Sequence, residues 1–261
     1  MLRLRPSASL RRWVSSRAFD PSRLVSKTTG TPGTLAYRLF VLDPQLNELS
    51  PWHDVPLLAA APGAIHYVNE IPHGTTAKLE CNLLEQHNPL AQDESDGAPR
   101  HYGLPTTFNY GFAPQTWEDP TDVHPDIGLL GDADPVDVVE ISGEPLPAGA
   151  CVAVKPLGAL ALIDQGEIDW KILALRADHP LASGITCAES LEEAIPGKVD
   201  AVREWFRTYK TLEGKPPNDY GFAGLLRDAE YARQVLDEAH EVWKGDNLKK
   251  WLADEGAAKR P

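Results

Sequence analysis

The sequence lacks an apolar run of the roughly 20 residues that a membrane-spanning helix needs, so we expect no membrane insertion. Its three cysteines (Cys81, Cys151 and Cys187) are odd in number and scattered, which excludes a disulfide framework and a zinc-binding spacing. Positive charge is scarce, because 25 Lys and Arg stand against 38 Asp and Glu, for a formal net charge of −13. Such an acidic protein is a poor candidate for binding nucleic acid, and an anionic ligand would need metal cations between it and the protein.

The first 19 residues differ from the rest, because they contain five arginines and no acidic residue. Their apolar residues are interspersed, which is typical of an organelle transit peptide rather than a secretory signal. We therefore predict a transit peptide or disordered segment over residues 1–30, cleaved between about residues 17 and 30, and one domain over residues 31–261. The predicted location is the mitochondrial matrix, with a plastid or the cytoplasm as alternatives. The alternative to a transit peptide is that these residues form a disordered basic tail.

Hydrophobic patterning predicts a β-rich core followed by helices. Short apolar or alternating segments predict strands at residues 34–42, 64–71, 76–81, 136–141, 152–163 and 170–175. Residues 86–107 are polar and rich in Pro and Gly, which predicts a loop. Helical spacing predicts helices at residues 198–209 and 225–244, with Gly245 as the C-cap. The pattern favours a single α+β domain with a small barrel and helices packed outside it.

Three carboxylates, Asp132, Asp134 and Asp137, lie within six residues around Pro135. Two unit charges about 4 Å apart in a protein-like medium repel each other by roughly 4 kcal/mol, so the cluster needs protons or cations. Because oxygen ligands suit hard divalent cations, Mg²⁺ is the natural partner. Proline cannot donate to a sheet ladder, so a bend there would let Asp137 approach the other two. The alternative is a solvated acidic turn.

Two better-known acidic motifs fit this cluster less well. An EF-hand is disfavoured because Asp137 is misplaced and Val136 is neither a glycine nor an acid. The Asp-x-Asp-x-(Thr/Val) motif of haloacid-dehalogenase-type phosphatases matches residues 132–136, but it should follow a long buried parallel strand. Residues 128–131 are too short and are bounded by glycines.

Other segments carry groups that suit a phosphate ligand. Acidic residues crowd again at residues 164–169, two residues before Lys171, and Lys78 shares a strand face with Glu80. Tyr209 and Lys210 end a predicted helix, and Arg100 lies in the polar loop. Lys, Arg and Tyr side chains donate to phosphate oxygens. Each group taken alone is also explained as ordinary surface charge.

Together these motifs resemble the soluble family I inorganic pyrophosphatases, whose signature Asp-x-Asp-Pro-hydrophobic-Asp stands here at residues 132–137. The matching segments, in family order, are Glu70-Ile-Pro, Ala77-Lys78-Leu-Glu80, Asn109-Tyr110-Gly111, Pro114-Gln-Thr-Trp117-Glu-Asp-Pro120, Asp164-x-Gly-Glu-x-Asp169-Trp-Lys171 and Trp205-Phe-Arg-x-Tyr209-Lys210. The similarity covers roughly residues 34–245, and residues 50–57 resemble the eukaryotic branch. It implies a five-stranded, OB-like closed barrel with flanking helices, and a homodimer.

The resemblance also implies an activity, the hydrolysis of inorganic pyrophosphate by a metal-activated hydroxide, with three or four Mg²⁺ ions, or Mn²⁺ as a substitute. It assigns the tightest metal ion to Asp132, Asp137 and Asp169, and the remaining ions to Asp164 and Glu80. Asp134 would accept the proton of the attacking water, with Asp137, Lys78 and Tyr110 as further catalytic groups and Glu70 as a supporting carboxylate. The phosphates would be bound by Lys78, Arg100, Tyr110, Lys171, Tyr209 and Lys210.

One departure from the family lies between Arg100 and Tyr110, where the chain is several residues shorter. Many members carry a second tyrosine four residues before the one that matches Tyr110, and this chain has Thr106 there. Either Tyr102 takes the place of this second tyrosine or no residue does. A shortened loop that closes the site imperfectly would slow turnover. The alternative function is therefore a weakly active or non-catalytic metal-binding homologue.

Overall fold

The computed structural model describes residues 19–258. Its strands are β1 (Val25–Thr29), β2 (Arg38–Leu42), β3 (Glu48–Leu49), β4 (Ile65–Ile71), β5 (Leu79–Cys81), β6 (Leu90–Gln92), β7 (Glu94–Ser95), β8 (Ala98–Pro99), β9 (Asn109–Phe112), β10 (Asp137–Glu140), β11 (Cys151–Asp164), β12 (Glu167–Arg176) and β13 (Asp219–Tyr220). Its helices are α1 (Ala188–Ala194), α2 (Lys198–Thr208), α3 (Ala229–Lys244) and α4 (Asp246–Ala258), with 3₁₀ turns at Pro21–Arg23, Thr211–Glu213 and Gly221–Gly224.

Five strands close into the predicted barrel in the order β12, β10, β9, β4 and β11, because β11 also pairs with β12. Only the β10–β12 pair in this ring is parallel; the others are antiparallel. Closure leaves no exposed sheet edge within the ring. The α+β fold and the five-stranded barrel are therefore confirmed.

The β11–β12 hairpin packs against helices on both of its faces. Ile168–Leu175 is buried without interruption, because the strand is covered on both faces. Leu160, Leu162 and Leu173 belong to a cluster that includes α2, whereas Ala159, Ala161 and Ile172 belong to a cluster that includes α3. The alternation of strand side chains thus places one helix on each face.

A second sheet (β1, β2, β6 and β5, with β3 beside β2) lies next to the barrel. Its first strand, Val25–Thr29, pairs with β2 and lies inside the segment that the sequence assigns to a transit peptide. Folded structure therefore begins before residue 31. Residues 1–18, which carry the arginine-rich part of that prediction, lie outside the described residues.

Several elements differ from the sequence-based expectations. The second predicted helix begins at Ala229 rather than 225, because Arg227 bridges to Ala159 and the Asp228 side chain caps the helix by accepting from Tyr231 N at 2.8 Å. The predicted loop over residues 86–107 contains β6–β8, and helices α1 and α4 are additional. No helix within residues 19–258 is long and apolar enough to cross a membrane, and all three cysteines are free thiols.

Candidate active site

A polar cavity of about 230 Å³ lies at the turn of the β11–β12 hairpin, where β5, the turn before β10 and the end of α2 meet. Twelve of the thirteen predicted site residues line it: Glu70, Lys78, Glu80, Arg100, Tyr110, Asp132, Asp134, Asp137, Asp164, Asp169, Tyr209 and Lys210. The thirteenth, Lys171, is 1% exposed and contacts three of them. The fold thus brings together residues that are far apart in the sequence.

The Asp132–Asp134 turn is held in shape by backbone contacts. Ala133 has a φ of +68°, in the left-handed region, and Asp134 N donates to Asp132 Oδ1 at 3.0 Å. Ala133 N donates to the Glu118 carbonyl at 3.0 Å, and Glu118 N donates to the Asp134 carbonyl at 2.9 Å. A Cβ on Gly131 would lie 2.6 Å from the backbone of Glu118, so this close approach requires glycine. The bend predicted around Pro135 is therefore fixed by a partner segment.

The tightest acidic cluster consists of Glu118, Asp132 and Asp169, whose carboxylate oxygens lie within 4.8 Å of one another. Glu118 Oε1 accepts from Trp170 N at 3.2 Å, while the buried Glu118 Oε2 has no hydrogen-bond partner. Glu118 was not assigned a role from the sequence. Its segment was matched to the family, but only the tertiary fold places its carboxylate beside the other two.

Asp137, predicted to share the tightest ion, lies beside this cluster rather than in it. Its Oδ2 accepts from Lys171 Nζ at 2.5 Å and from the Tyr110 hydroxyl. Lys171 also donates to the Tyr110 hydroxyl at 3.0 Å and to Asp169. The register explains the contact, because Asp137 and Lys171 are partners in the parallel β10–β12 pair and Asp169 shares the face of Lys171.

Burial and mutual repulsion shift the pKa values of this acidic group. Burial, followed by the charges of Asp132 and Asp169, holds the pKa of Glu118 well above its usual range. Burial and the charge of Asp169 do the same to the pKa of Asp132. The pKa of Asp134 is raised to about 7 by burial and by Glu80, although Lys78 opposes the shift. The site therefore favours protons or cations over free carboxylates.

A second group of charges lies on the side of the cavity formed by β5 and the polar loop. Lys78 Nζ donates to Glu80 Oε2 at 2.6 Å and to Asp93 Oδ2 at 2.9 Å. Arg100 Nη1 donates to the same Asp93 oxygen at 3.2 Å, and Arg100 Nη2 lies 3.6 Å from Glu213. Asp93, which the sequence analysis did not single out, thus holds two predicted phosphate-binding side chains together.

Four further predicted residues, Tyr209, Lys210, Asp164 and Glu70, also line the cavity. Tyr209 donates to Asp164 Oδ2 at 2.9 Å and Lys210 Nζ donates to Asp164 Oδ1 at 2.5 Å. Glu70 lies at the irregularity in the β4–β9 pairing and accepts from Cys81 N at 2.6 Å, so that it positions β5 beside the cavity. Burial raises the pKa of Glu70 well above its usual range.

The pairing of charges is uneven. Lys78, Arg100, Lys171 and Lys210 each have a carboxylate partner. Within residues 19–258, no cation lies within salt-bridge distance of Glu118, Asp132 or Asp134. Three carboxylates without a cationic partner, of which Glu118 is buried and has an unpartnered oxygen, fit a hard divalent cation, whose ligands are oxygens.

Comparison with known proteins gives a consistent result. A family model described as inorganic pyrophosphatase matches residues 67–244. The chain is 40% identical over 236 residues to a chloroplastic soluble inorganic pyrophosphatase of Arabidopsis thaliana, covering 90% of this chain and 78% of the relative. It is 40% identical over 227 residues to an inorganic pyrophosphatase of Debaryomyces hansenii, covering 84% and 78%.

A similar solved structure is that of the truncated vacuolar soluble pyrophosphatase of Trypanosoma cruzi in complex with PPi. The two chains align with a TM-score of 0.80 at 35% identity, and the alignment covers 87% of this chain and 91% of the Trypanosoma cruzi chain. The similarity therefore extends from the sequence motifs to the fold of most of the chain.

Proposed function

Because the chain belongs to the inorganic pyrophosphatase family and is thus an enzyme that hydrolyses pyrophosphate, we propose that the cavity at the β11–β12 turn is its active site. The observation that carries this proposal is the arrangement of charge. On one side, Glu118, Asp132 and Asp134 have no cationic partner among the described residues. On the other side, the cavity is lined by Lys78, Arg100 and Lys210, whose cationic side chains suit phosphate oxygens. A polyanion bridged by metal cations matches both sides.

The carboxylates Glu118, Asp132 and Asp169 would hold one Mg²⁺ ion, with Asp137 beside them. When bound, Mg²⁺ would neutralise the cluster, lower the pKa of water and orient it toward the substrate. The unpartnered Glu118 Oε2 and the all-oxygen donor set support this assignment. We propose up to three or four ions in total, with Glu80 and Asp164 as further ligands and Mn²⁺ as a substitute.

Asp134 would accept the proton of the attacking water. Its carboxylate lines the cavity and has no cationic partner among the described residues, and its backbone is held by bonds to Asp132 Oδ1 and from Glu118 N. A base with these properties is oriented without being neutralised by a neighbour. Asp137 is less suited to this step, because Lys171 and Tyr110 already donate to it.

The cationic side chains would bind the phosphates and offset charge on the leaving group. Lys210 and Tyr209 now donate to Asp164, and Lys78 donates to Glu80. When substrate and metal enter together, these donors would turn to phosphate oxygens and leave their carboxylates free for metal. This exchange accounts for the close pairing of the two sets of residues.

The test is phosphate release from pyrophosphate by residues 20–261, with and without Mg²⁺, for the wild type and for Asp134→Asn. We expect fast, Mg²⁺-dependent release, reduced by about 10² or more in the variant with little change in Mg²⁺ affinity. Asp237→Asn, an exposed position on α3, is the matched control and should behave as wild type. No release from a folded, Mg²⁺-binding wild type would instead favour a non-catalytic homologue.

We also propose a homodimer and a mitochondrial location. The similarity to family members supports the first, and sedimentation of the purified chain would test it. The arginine-rich residues 1–18 support the second, and the pairing of β1 with β2 favours cleavage ahead of Val25. Fusion of residues 1–24 to a fluorescent protein would distinguish mitochondria from plastids, which the name of the Arabidopsis relative suggests, or the cytoplasm.

A further inference from the structure

Tyr102 is a buried tyrosine with an unused hydroxyl. The residue is 4% exposed and lines the cavity, yet its hydroxyl makes no hydrogen bond within residues 19–258. The hydroxyl oxygen is not fully enclosed by protein atoms. Because Tyr102 lines the cavity, this accessible surface faces the cavity. A phenol in this situation can donate to a ligand at no loss of a protein hydrogen bond.

The ring of Tyr102 is held in a fixed orientation. It packs edge-on against Trp205 at a centroid distance of 5.0 Å and against Tyr209 at 5.6 Å. Its backbone N–H donates to the Thr76 carbonyl at 2.8 Å. Since the side chain has only two rotatable bonds and both neighbours are aromatic, little conformational freedom is left to lose on binding.

The hydroxyl lies among the residues that bind phosphate in the proposed mechanism. Burial is the main cause that raises the pKa of Tyr102 well above the usual range, so the group stays a donor, and the nearby charges of Lys78, Lys171 and Arg100 act on it. The hydroxyl in turn contributes to the raised pKa of Tyr110 and Tyr209. Of these neighbours, Lys78, Arg100, Tyr110 and Tyr209 line the same cavity as Tyr102.

Thr106 is excluded from this role by its position. It is 1% exposed and absent from the cavity lining, and its hydroxyl donates to the Pro72 carbonyl at 3.2 Å. The short loop is nevertheless closely packed, because Trp205 Nε1 donates to the Pro105 carbonyl at 3.1 Å and Lys198 Nζ to the Thr107 carbonyl at 3.0 Å. The loop therefore brings Tyr102, and not Thr106, to the cavity.

We propose that Tyr102 is a further substrate-binding residue, whose hydroxyl donates a hydrogen bond to a phosphate oxygen of pyrophosphate. The inference rests on the proposed function of the cavity. It means that the shortened loop supplies its own tyrosine from a different point in the chain. Because the ring is already held in the free protein, the bond should form in the ground state and persist through the reaction.

Tyr102→Phe tests this proposal, because it removes the hydroxyl and keeps the ring between Trp205 and Tyr209. We expect KM for magnesium pyrophosphate to rise about tenfold with kcat changed less than about threefold, as for a loss of uniform binding. The dissociation constant of imidodiphosphate, a non-hydrolysable analogue, should rise by the same factor. Tyr37→Phe is the control: Tyr37 is also buried, lies outside the cavity and should leave all three quantities unchanged.

Other outcomes separate the two levels of inference. An active, Mg²⁺-dependent wild type with unchanged KM and analogue affinity in Tyr102→Phe overturns the role of Tyr102 and leaves the proposed function intact. A lower kcat with unchanged KM and unchanged analogue affinity also overturns it, since the hydroxyl would not bind the ground state. An inactive wild type overturns the proposed function itself. The melting temperature of the variant, which should stay within about 2 °C of wild type, excludes misfolding as the cause.

Discussion

Lys171 Nζ donates to Asp137 Oδ2 at 2.5 Å, and the two residues face each other across the parallel β10–β12 pair. Lys171 is 1% exposed and also donates to Asp169, so one buried cation joins two carboxylates that arise from different strands. Burial alone would lower the pKa of Lys171, but Asp137 and Asp169 raise it well above the usual range. The ammonium therefore remains charged and offsets part of the acidic cluster in the absence of metal.

Lys171→Met should destabilise the metal-free protein by about 3–5 kcal/mol, because it leaves the buried Asp169 and the half-buried Asp137 without their cation. Added Mg²⁺ should restore more of the melting temperature than it does for wild type, since the freed carboxylates can hold the ion. Lys27→Met is the control, because Lys27 forms an exposed pair with Glu48 at 3.0 Å and should cost less than about 1 kcal/mol. Urea unfolding with and without Mg²⁺ measures the free energy of unfolding of both variants. Equal effects of the two substitutions would contradict the role of Lys171.

Glu118→Gln tests whether the carboxylate missed by the sequence analysis holds metal. The amide keeps the size and can still accept from Trp170 N, but it removes one of three clustered charges. Without Mg²⁺ we expect a melting temperature equal to or above that of wild type, because like-charge repulsion falls. With Mg²⁺ we expect a smaller increase and a dissociation constant raised about tenfold. Glu241→Gln, at an exposed pair on α3, should leave the Mg²⁺ response unchanged.

Much of the barrel could be predicted from the sequence, because β4, β11 and β12 are long and apolar and end at clear turns. The acidic turn and the Asp169–Lys171 pair could also be predicted, since neighbours at i and i+2 share a strand face. These features depend on local patterns alone. The family resemblance added the order in which the segments come together.

The remaining features depend on tertiary contacts. Strands β6–β8 are two or three residues long, and β6 exists because β2 and β5 lie on either side of it. Glu118 reaches the acidic cluster because the 117–119 segment pairs with the Asp132–Asp134 turn. Tyr102 lines the cavity because its loop accepts hydrogen bonds from Trp205 and Lys198, which both lie on α2. No spacing in the sequence encodes these contacts.

Gly111 should tolerate no side chain. It lies on β9 opposite the irregular part of β4, and a Cβ there would lie 2.0 Å from the Val68 carbonyl oxygen and 2.9 Å from Glu70 N. Gly111→Ala should therefore separate β9 from β4, destabilise the protein by about 3 kcal/mol or more, and displace Glu70 and Tyr110 from the cavity. The melting temperature and the rate of pyrophosphate hydrolysis should both fall.

Gly256→Ala is the matched control, since a Cβ at that position in α4 meets nothing within 4 Å. Alanine is the better helix former by about 1 kcal/mol, so this variant should be as stable as wild type or slightly more stable. If Gly111→Ala were also neutral, the close approach of β4 and β9 would be wrong.

His53 should make the protein less stable in mild acid. Its Nδ1 accepts from Trp243 Nε1 at 2.9 Å and its ring stacks on Trp52 at 4.1 Å, so the neutral ring is the form that fits. Burial lowers the pKa of His53 from 6.5 to about 4. Because the unfolded chain binds the proton more tightly, the stability from this residue is complete above pH 6.5 and is lost as the pH falls toward 4.

The difference in pKa corresponds to about 3.5 kcal/mol at most, since one pKa unit is about 1.4 kcal/mol. His53→Gln cannot titrate, so its free energy of unfolding should fall less than that of wild type between pH 7.5 and 4.5, whatever the substitution costs at neutral pH. His101→Gln, at an exposed position, should follow the wild-type slope. Urea unfolding across this pH range gives the slopes directly. Parallel curves for wild type and His53→Gln would show that this imidazole does not couple folding to protons.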